Sequence, residues 1–410
     1  MNRIHSQSPS NARCPLCETE GMEIFYELRR VPVHSVLLLE TREEALNYPR
    51  GDIRLGFCLA CGFVWNLEFD ASLQEYSEKY EATQAYSPVF NAFHRRLALS
   101  LIERYDLHGK RVVEIGCGQG EFLSLLCELG GNQGLGFDPA LSPRRMNYRQ
   151  PDSVVLVKDF YSDKYAGHEG DFICCKMTLE HIPDAVGLVR TIRGTVGHRA
   201  EPIVFFQVPN ARHVFGHAAF WDVYYEHCSY FSPGTLARLF RRCGFQVLNL
   251  WTDFDDQYLM IEARSDRGLT HEPLPQEDDM AQFTRELERF GVEVPLRLAA
   301  WRRRIKCFQD AGRKLVLWGG GSKAVAFLST LDISFQQIEY IVDVNPHKAG
   351  TYLAGTGQEI VAPDFLRSYR PSAVVVMNPV YSQEIRQTLA DMDLYPEVLP
   401  VDGERRQASL

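Results

Sequence analysis

The chain has 410 residues, 45% of them apolar and 24% charged, with a net charge of −9. That is globular composition, long enough for two or three domains with cores of their own, and the acidic balance makes it a poor generic binder of nucleic acid even with a local Arg302-Arg303-Arg304 patch. No apolar run approaches the roughly 18 residues of a membrane span, and the start MNRIHSQSPSNARC lacks the apolar core of a signal peptide, so a cytoplasmic protein with no membrane partner is expected.

Eleven cysteines, four of them in two C-x-x-C pairs, suggest reduced thiols and a metal rather than a disulfide framework. Cys14 and Cys17, then Cys58 and Cys61, offer four thiolates able to close a tetrahedron around Zn²⁺ with no position left for water, which reads as a structural site. A folding staple and a substrate- or nucleic-acid-binding module both stay open, with redox chemistry a third use. The apolar run Val36 to Leu39 in the long spacer suggests strands crossing between the pairs. Glu75 to Ser87 is rich in tyrosine (Tyr76, Tyr80, Tyr86), and is either packing or a segment that covers a bound ligand. Phe90, Phe93, Leu97 and Leu101 then mark an amphipathic helix.

Arg111 to Asp138 organises the rest. Val112 to Ile115 is a strand, Gly116, Gly118 and Gly120 a turn, and Phe122, Leu123, Leu125, Leu126 and Leu129 one face of a helix. The glycines let a ligand approach the backbone, and the helix N-terminus offers free N–H groups. Leu135 to Phe137 is a second strand ending in Asp138, placed to accept from ribose hydroxyls. The turn reads G-x-G-x-G after Glu114, not the G-x-G-x-x-G of dinucleotide sites. Strands at 171–175 and 203–208, with a helix over 185–196 between them, continue a parallel sheet whose carboxyl ends carry Glu180-His181 and Pro209-Asn210. Phe220 to Ser232 crowds aromatics around Glu226 and His227; it is either a pocket wall or the lead-in to a helix capped at Ser232. Phe245–Trp251 and Tyr258–Ala263 read as a hairpin, Arg264–Asp278 as a linker, and Phe283–Phe308 as a solvated helical bridge. From Lys314 the order strand, glycine turn, helix, strand, Asp343 repeats, which suggests a second Rossmann-like unit; Gly319-Gly320-Gly321-Ser322-Lys323 lacks the NAD fingerprint, so a substrate wall is favoured over a redox site.

The G-x-G-x-G turn resembles motif I of class I S-adenosylmethionine methyltransferases. Nearly the full chain resembles the sugar C-methyltransferases of deoxysugar pathways, on the two C-x-x-C pairs, Glu114 to Gly120, Glu180-His181-Ile182, Tyr224 to His227, Ser229 to Ser232, the C-terminal glycine turn, and Val342 to Pro346. The likeness departs at Tyr225, where the family has His, and at Asp255 to Leu259, where it has a glycine-serine segment. It implies an α/β fold: a class I Rossmann-like methyltransferase sheet (76–265) flanked by a zinc-binding domain (1–75) and, after a bridge (266–311), a C-terminal Rossmann-like domain (312–410). It also implies S-adenosylmethionine and structural Zn²⁺ as cofactors, and a nucleotide-linked sugar as acceptor. Cofactor residues would be Glu114, Gly116, Gly118, Gly120, Asp138, Asp159, Phe160, Lys176, Glu180 and His181; zinc ligands Cys14, Cys17, Cys58 and Cys61; and the catalytic set Tyr224, Glu226 and His227. His227 is the expected base, with Glu226 orienting it or acting itself and Tyr224 donating to an oxyanion. O- or N-transfer to another natural product, or a non-catalytic cofactor-binding module, are the alternatives.

Overall fold

The computed structural model describes residues 10–145, 150–199, 201–266, 268 and 271–403. The chain start read above, residues 404–410, and residues 267, 269 and 270 of the expected linker lie outside the described residues. Strands β1 (Ser10–Arg13) and β2 (Glu20–Pro32), helix α1 (Arg42–Leu46), and strands β3 (Arg50–Phe57) and β4 (Val64–Asn66) open the chain. The four strands pair antiparallel in that order. β2 alternates buried Met22, Ile24, Tyr26 and Leu28 with more exposed neighbours, the period of a sheet with one covered face. Val36 to Leu39 corrects the expectation of a strand. It makes only isolated bridges, Leu37 to Tyr80 and Leu39 to Tyr352, and Leu37 and Leu39 pack in a small cluster with Ala45 and Ala354; the strands that cross between the cysteine pairs are β2 and β3.

Helix α2 (Pro88–Tyr105) follows, with Ser87 Oγ accepting the Phe90 N–H and Pro88 at its first turn. Then come β5 (Arg111–Ile115), α3 (Glu121–Gly130), β6 (Gln133–Phe137), β7 (Val154–Val157), β8 (Phe172–Lys176), α4 (Ala185–Val196), β9 (Ile203–Pro209), α5 (Ala211–Gly216), β10 (Ser229–Tyr230), α6 (Pro233–Arg242), β11 (Phe245–Asp253) and β12 (Tyr258–Ser265). All but β10 form a seven-stranded sheet, β11-β12-β9-β8-β5-β6-β7, parallel from β9 to β7 with the hairpin β11–β12 antiparallel at one edge. β5 has β6 on one side and β8 on the other, so the winding reverses there and opens a crevice outside the strand ends. β10 instead pairs with β4, so the first sheet is completed by a strand from far along the chain.

Helix α7 (Met280–Asp310) corrects the solvated-bridge expectation. Phe283, Leu287, Phe290, Val294, Leu298, Trp301, Ile305 and Phe308 recur at three- and four-residue spacing and are all buried. Phe290 packs 5.1 Å from both Tyr26 and Phe215, and Trp301 5.2 Å from Phe327. The helix is thus a spine shared by the first sheet, the aromatic loop and the last unit, in which β13 (Leu315–Trp318), α8 (Ser322–Leu331), β14 (Tyr340–Val342), β15 (Glu359–Val361), β16 (Ala373–Val376) and β17 (Glu397–Pro400) give an all-parallel sheet, β15-β14-β13-β16-β17.

Candidate active site

Past β5 the chain turns through Gly116, Gly118 and Gly120 at φ of +68°, +57° and +89°. A Cβ on Gly116 would sit 2.8 Å from Thr178 Cβ, so the turn closes there only with glycine. A Cβ on Gly118 would meet nothing nearer than Glu121 Oε2 at 3.8 Å, because it borders a cavity of about 250 Å³. Gly120 is the N-cap of α3. Asp138 accepts the N–H groups of Gly118 (2.9 Å) and Ala140 (2.8 Å), and burial pushes its carboxyl up to about 6. Asp159 and Phe160 border the same cavity, Asp159 held by the Tyr165 hydroxyl at 2.6 Å. So do Glu114 and Lys176, both buried; burial raises the Glu114 carboxyl and lowers the Lys176 ammonium. Glu114 Oε2 has no hydrogen-bond partner. An orphaned buried oxygen, a carboxylate past the second strand and an open glycine turn suit a ligand carrying ribose hydroxyls and an amino group. The tyrosine-rich segment lies along this cavity, with Tyr76 and Tyr80 to Ala85 in its lining; Thr83 Oγ1 donates to Glu121 (2.8 Å) and Glu81 pairs with Arg145 (2.6 Å).

A second cavity, about 300 Å³, shares Tyr80, Ala82, Thr83, Gln84, Met177 and His181 with the first. Met177 holds φ at +50°, a conformation that costs a non-glycine residue of order 1–3 kcal/mol and is fixed here by its N–H on the Gln207 carbonyl at 2.7 Å. Tyr224 and His227 face this second cavity, as does Glu180, which does not line the first. The Tyr224 hydroxyl lies 2.9 Å from His227 Nε2, and Glu180 Oε1 lies 3.9 Å from that nitrogen. Burial raises the Tyr224 phenol far above its ordinary range, so it stays protonated and donates. Burial, then His181 and Lys323, hold His227 well below the usual histidine range, so its ring is neutral at pH 7. Glu180 is pushed up to about 8 by burial, and neither of its oxygens is hydrogen-bonded. The last unit adds Trp318, Gly319, Ser322, Lys323 and Asp343 to the lining, and Lys323 ion-pairs with Asp222 of the aromatic loop.

Glu226 corrects an expectation. Its carboxylate turns away from His227 and is bonded by His34 Nδ1 (3.0 Å) and Ser35 Oγ. His34 Nε2 accepts the Glu75 N–H at 2.6 Å, which leaves the ring proton on Nδ1 to face Glu226. Ser35 continues to Ser322 Oγ at 2.7 Å, so Glu226 knots the first sheet, the loop and the last unit together and borders neither cavity. Tyr225, where the family pattern has histidine, is buried against Phe69; its hydroxyl accepts the Asp70 N–H (2.8 Å) and donates to the Glu68 carbonyl (3.3 Å). It leans on Gly51, where a Cβ would lie 2.8 Å from the Tyr225 Cζ.

The four cysteines converge, with every sulfur within 4.8 Å of the others and with Cys14–Cys61 and Cys17–Cys58 separations of 3.6 and 3.5 Å. Zinc–sulfur bonds of about 2.3 Å put tetrahedral sulfurs about 3.8 Å apart, so the geometry is compatible with that ion. The two knuckles repeat one hydrogen bond, Glu18 N–H to Cys14 O and Gly62 N–H to Cys58 O, both 2.8 Å, with Glu18 and Gly62 at positive φ. Arg238 of α6 donates to the Cys61 carbonyl at 2.9 Å, which fastens the second knuckle to the helix that follows the aromatic loop.

Residues 90–250 match the family of methyltransferase domains and residues 270–394 match the C-methyltransferase C-terminal domain. Both matches start beyond the cysteine knuckles. The C-methyltransferase NovU of Streptomyces niveus is 23% identical over 320 residues, 75% of this chain and 75% of that protein. The ubiquinone biosynthesis O-methyltransferase of Aromatoleum aromaticum is 28% identical over 201 residues, 44% of this chain and 84% of its own length. Among solved structures, the 1,6-didemethyltoxoflavin-N1-methyltransferase of Burkholderia thailandensis with bound 1,6-didemethyltoxoflavin and S-adenosylhomocysteine aligns with a TM-score of 0.33 at 17% identity, over 45% of this chain and 91% of its own. Among the described residues, no helix is long and apolar enough to cross a membrane.

Proposed function

The chain belongs to the S-adenosylmethionine-dependent methyltransferases that carry a C-methyltransferase C-terminal domain, and from that premise we propose that it methylates a carbon beside a carbonyl in a small acceptor, a keto-deoxysugar borne on a nucleotide. The observation that supports this most is the shared wall: Tyr80, Met177 and His181 border both cavities, while the Tyr224–His227 pair faces the second alone. When bound, S-adenosylmethionine supplies an electrophilic methyl group on sulfur, and carbon accepts it after losing a proton. The glycine turn and Asp138 would hold the cofactor, the Asp138 oxygens being placed to accept from ribose hydroxyls.

His227, neutral by burial, takes the acceptor's α-proton. The imidazolium it becomes favours the ionised form of Glu180, 3.9 Å away. Tyr224 turns its O–H from His227 to the developing enolate oxygen, freeing Nε2 for the proton. Glu226 positions the loop through His34 and Ser35. The last unit closes the acceptor pocket rather than binding a redox cofactor of its own, since its Gly319-Gly320-Gly321-Ser322-Lys323 turn lacks the dinucleotide fingerprint. Cys14, Cys17, Cys58 and Cys61 would hold one structural Zn²⁺ as a closed four-thiolate site.

Transfer to oxygen or nitrogen is the second reading, motivated by the O-methyltransferase likeness of the middle of the chain. The test is His227→Ala, expected to lower turnover about 10²- to 10⁴-fold with S-adenosylhomocysteine affinity retained. Unchanged turnover in both His227→Ala and Tyr224→Phe would remove the loop from catalysis, and methylation of an acceptor lacking a carbonyl would favour the second reading.

A further inference from the structure

The charge pattern of the first cavity is lopsided. Glu81, Glu114, Glu121, Asp138 and Asp159 all border it, whereas among its described lining residues Lys176 is the one lysine or arginine. Lys176 ends β8 and is 8% exposed. Its Nζ lies 2.9 Å from His94 Nε2 and 3.7 Å from the centroid of the Phe122 ring. His94 is held neutral, well below its usual range, by burial and by Lys176 itself, so Nε2 is the acceptor and a lysine N–H the donor. Of the three N–H groups on an ammonium, His94 occupies one and the Phe122 face covers another direction. Glu114, also buried, leaves Oε2 without a partner. A buried cation short of acceptors beside a buried carboxyl oxygen short of donors is complementary to a zwitterion.

The cofactor carries one carboxylate and two positive groups, its α-ammonium and its sulfonium. We propose that Lys176 is the seat of the cofactor's methionine carboxylate and that His94 is the positioning residue that aims Lys176 at it. This rests on the cofactor reading above and deepens it. The surplus of carboxyls then faces the ligand's surplus of positive charge, while the single lysine meets its single carboxylate. The Phe122 ring makes the arrangement directional, because a cation over a ring face keeps its remaining N–H groups pointed away from it.

The test compares three ligands by calorimetry: S-adenosylhomocysteine, its decarboxylated analogue, and 5′-methylthioadenosine, which lacks the amino-acid end. On the unmodified protein, loss of the carboxylate is expected to weaken binding about 10- to 100-fold, the range of a charge-assisted hydrogen bond. In Lys176→Met, S-adenosylhomocysteine should weaken by a similar factor while the decarboxylated analogue and 5′-methylthioadenosine change less than about twofold, which makes the lysine and the carboxylate one coupled pair. His94→Phe should give a smaller loss confined to S-adenosylhomocysteine, and His94→Gln, which keeps an acceptor, should restore it. Equal weakening of all three ligands in Lys176→Met overturns the proposal, as does a decarboxylated analogue that binds the unmodified protein as well as the parent. If 5′-methylthioadenosine binds and only the carboxylate is irrelevant, the cofactor reading stands and this inference falls; if none of the three binds, both fall.

Discussion

Replacing Asp138 with alanine perturbs two things that the structure allows to be separated. The carboxylate satisfies the N–H groups of Gly118 and Ala140 at 2.9 and 2.8 Å, and its remaining lone pairs are those offered to a ribose. Losing a charged acceptor for the ribose is worth about 1.5–3 kcal/mol, which is about 10- to 150-fold in cofactor affinity. Stranding the two backbone donors costs the free protein about 1–3 kcal/mol each where water cannot reach them, so the melting temperature should fall as well. Asp138 also provides a test without mutation. Burial holds its carboxyl at about 6 in the free protein, and only the ionised form accepts from both ribose hydroxyls, so binding lowers its pKa. The share of the affinity that Asp138 supplies should therefore fall as the pH drops through 6, by up to about tenfold per pH unit, until the pKa of the bound form is reached. Titration calorimetry with S-adenosylhomocysteine from pH 5 to 7 reads this directly, and Asp138→Asn should remove the decline through pH 6. Unchanged affinity in Asp138→Ala, or a wild-type profile that does not decline below pH 6, would refute the assignment of Asp138 to the ribose.

Cys14→Ser or Cys58→Ser should lower zinc content and stability, and because Arg238 and β10 join the second knuckle to the aromatic loop, turnover should fall further than cofactor affinity. Freshly purified protein should hold one zinc per chain; none would remove the structural site, and a second equivalent would point to the Glu180, His181 and His227 cluster. Gly51→Ala should cost about 1–3 kcal/mol by overpacking against Tyr225, seen as a lower urea midpoint and lost turnover with cofactor affinity intact; wild-type stability would show that the loop does not depend on that contact. Lys323→Met, which breaks the ion pair to Asp222, should lower turnover without affecting S-adenosylhomocysteine binding, and unaltered kinetics would show that the last unit does not shape the acceptor pocket.

Much of the cofactor half could be read from local pattern. The apolar run into Gly116, the helix after Gly120 and the span Ala185–Val196 each announce themselves within a dozen residues, because hydrophobic period and turn chemistry are local properties. The acceptor side was legible in composition and opaque in contact. Glu226 and His227 are adjacent in sequence, yet Glu226 finds its partner 192 residues away at His34, and no local rule gives that pairing. β10 is two residues long and is fixed by β4, again at long range. For α7 the signal was present and outweighed by charge: the apolar positions from Phe283 to Phe308 keep helical spacing throughout, and that stripe decides burial. His94 could have been noticed as an imidazole beside the apolar face of α2, between Phe90 and Leu97, where a half-buried polar group gains from a partner.

The central claim, carbon methylation through an enolate with His227 as base, is tested most directly by the exchange of the acceptor's α-proton with deuterated water in a complex of enzyme, keto-sugar nucleotide and S-adenosylhomocysteine. Without a methyl donor the first half of the reaction runs alone, so exchange reports proton removal and nothing downstream. The wild-type protein should wash deuterium into the α-position, Tyr224→Phe should do so more slowly, and His227→Ala should not do so measurably although it binds S-adenosylhomocysteine as tightly as the wild type. Exchange at the wild-type rate in His227→Ala would contradict the claim.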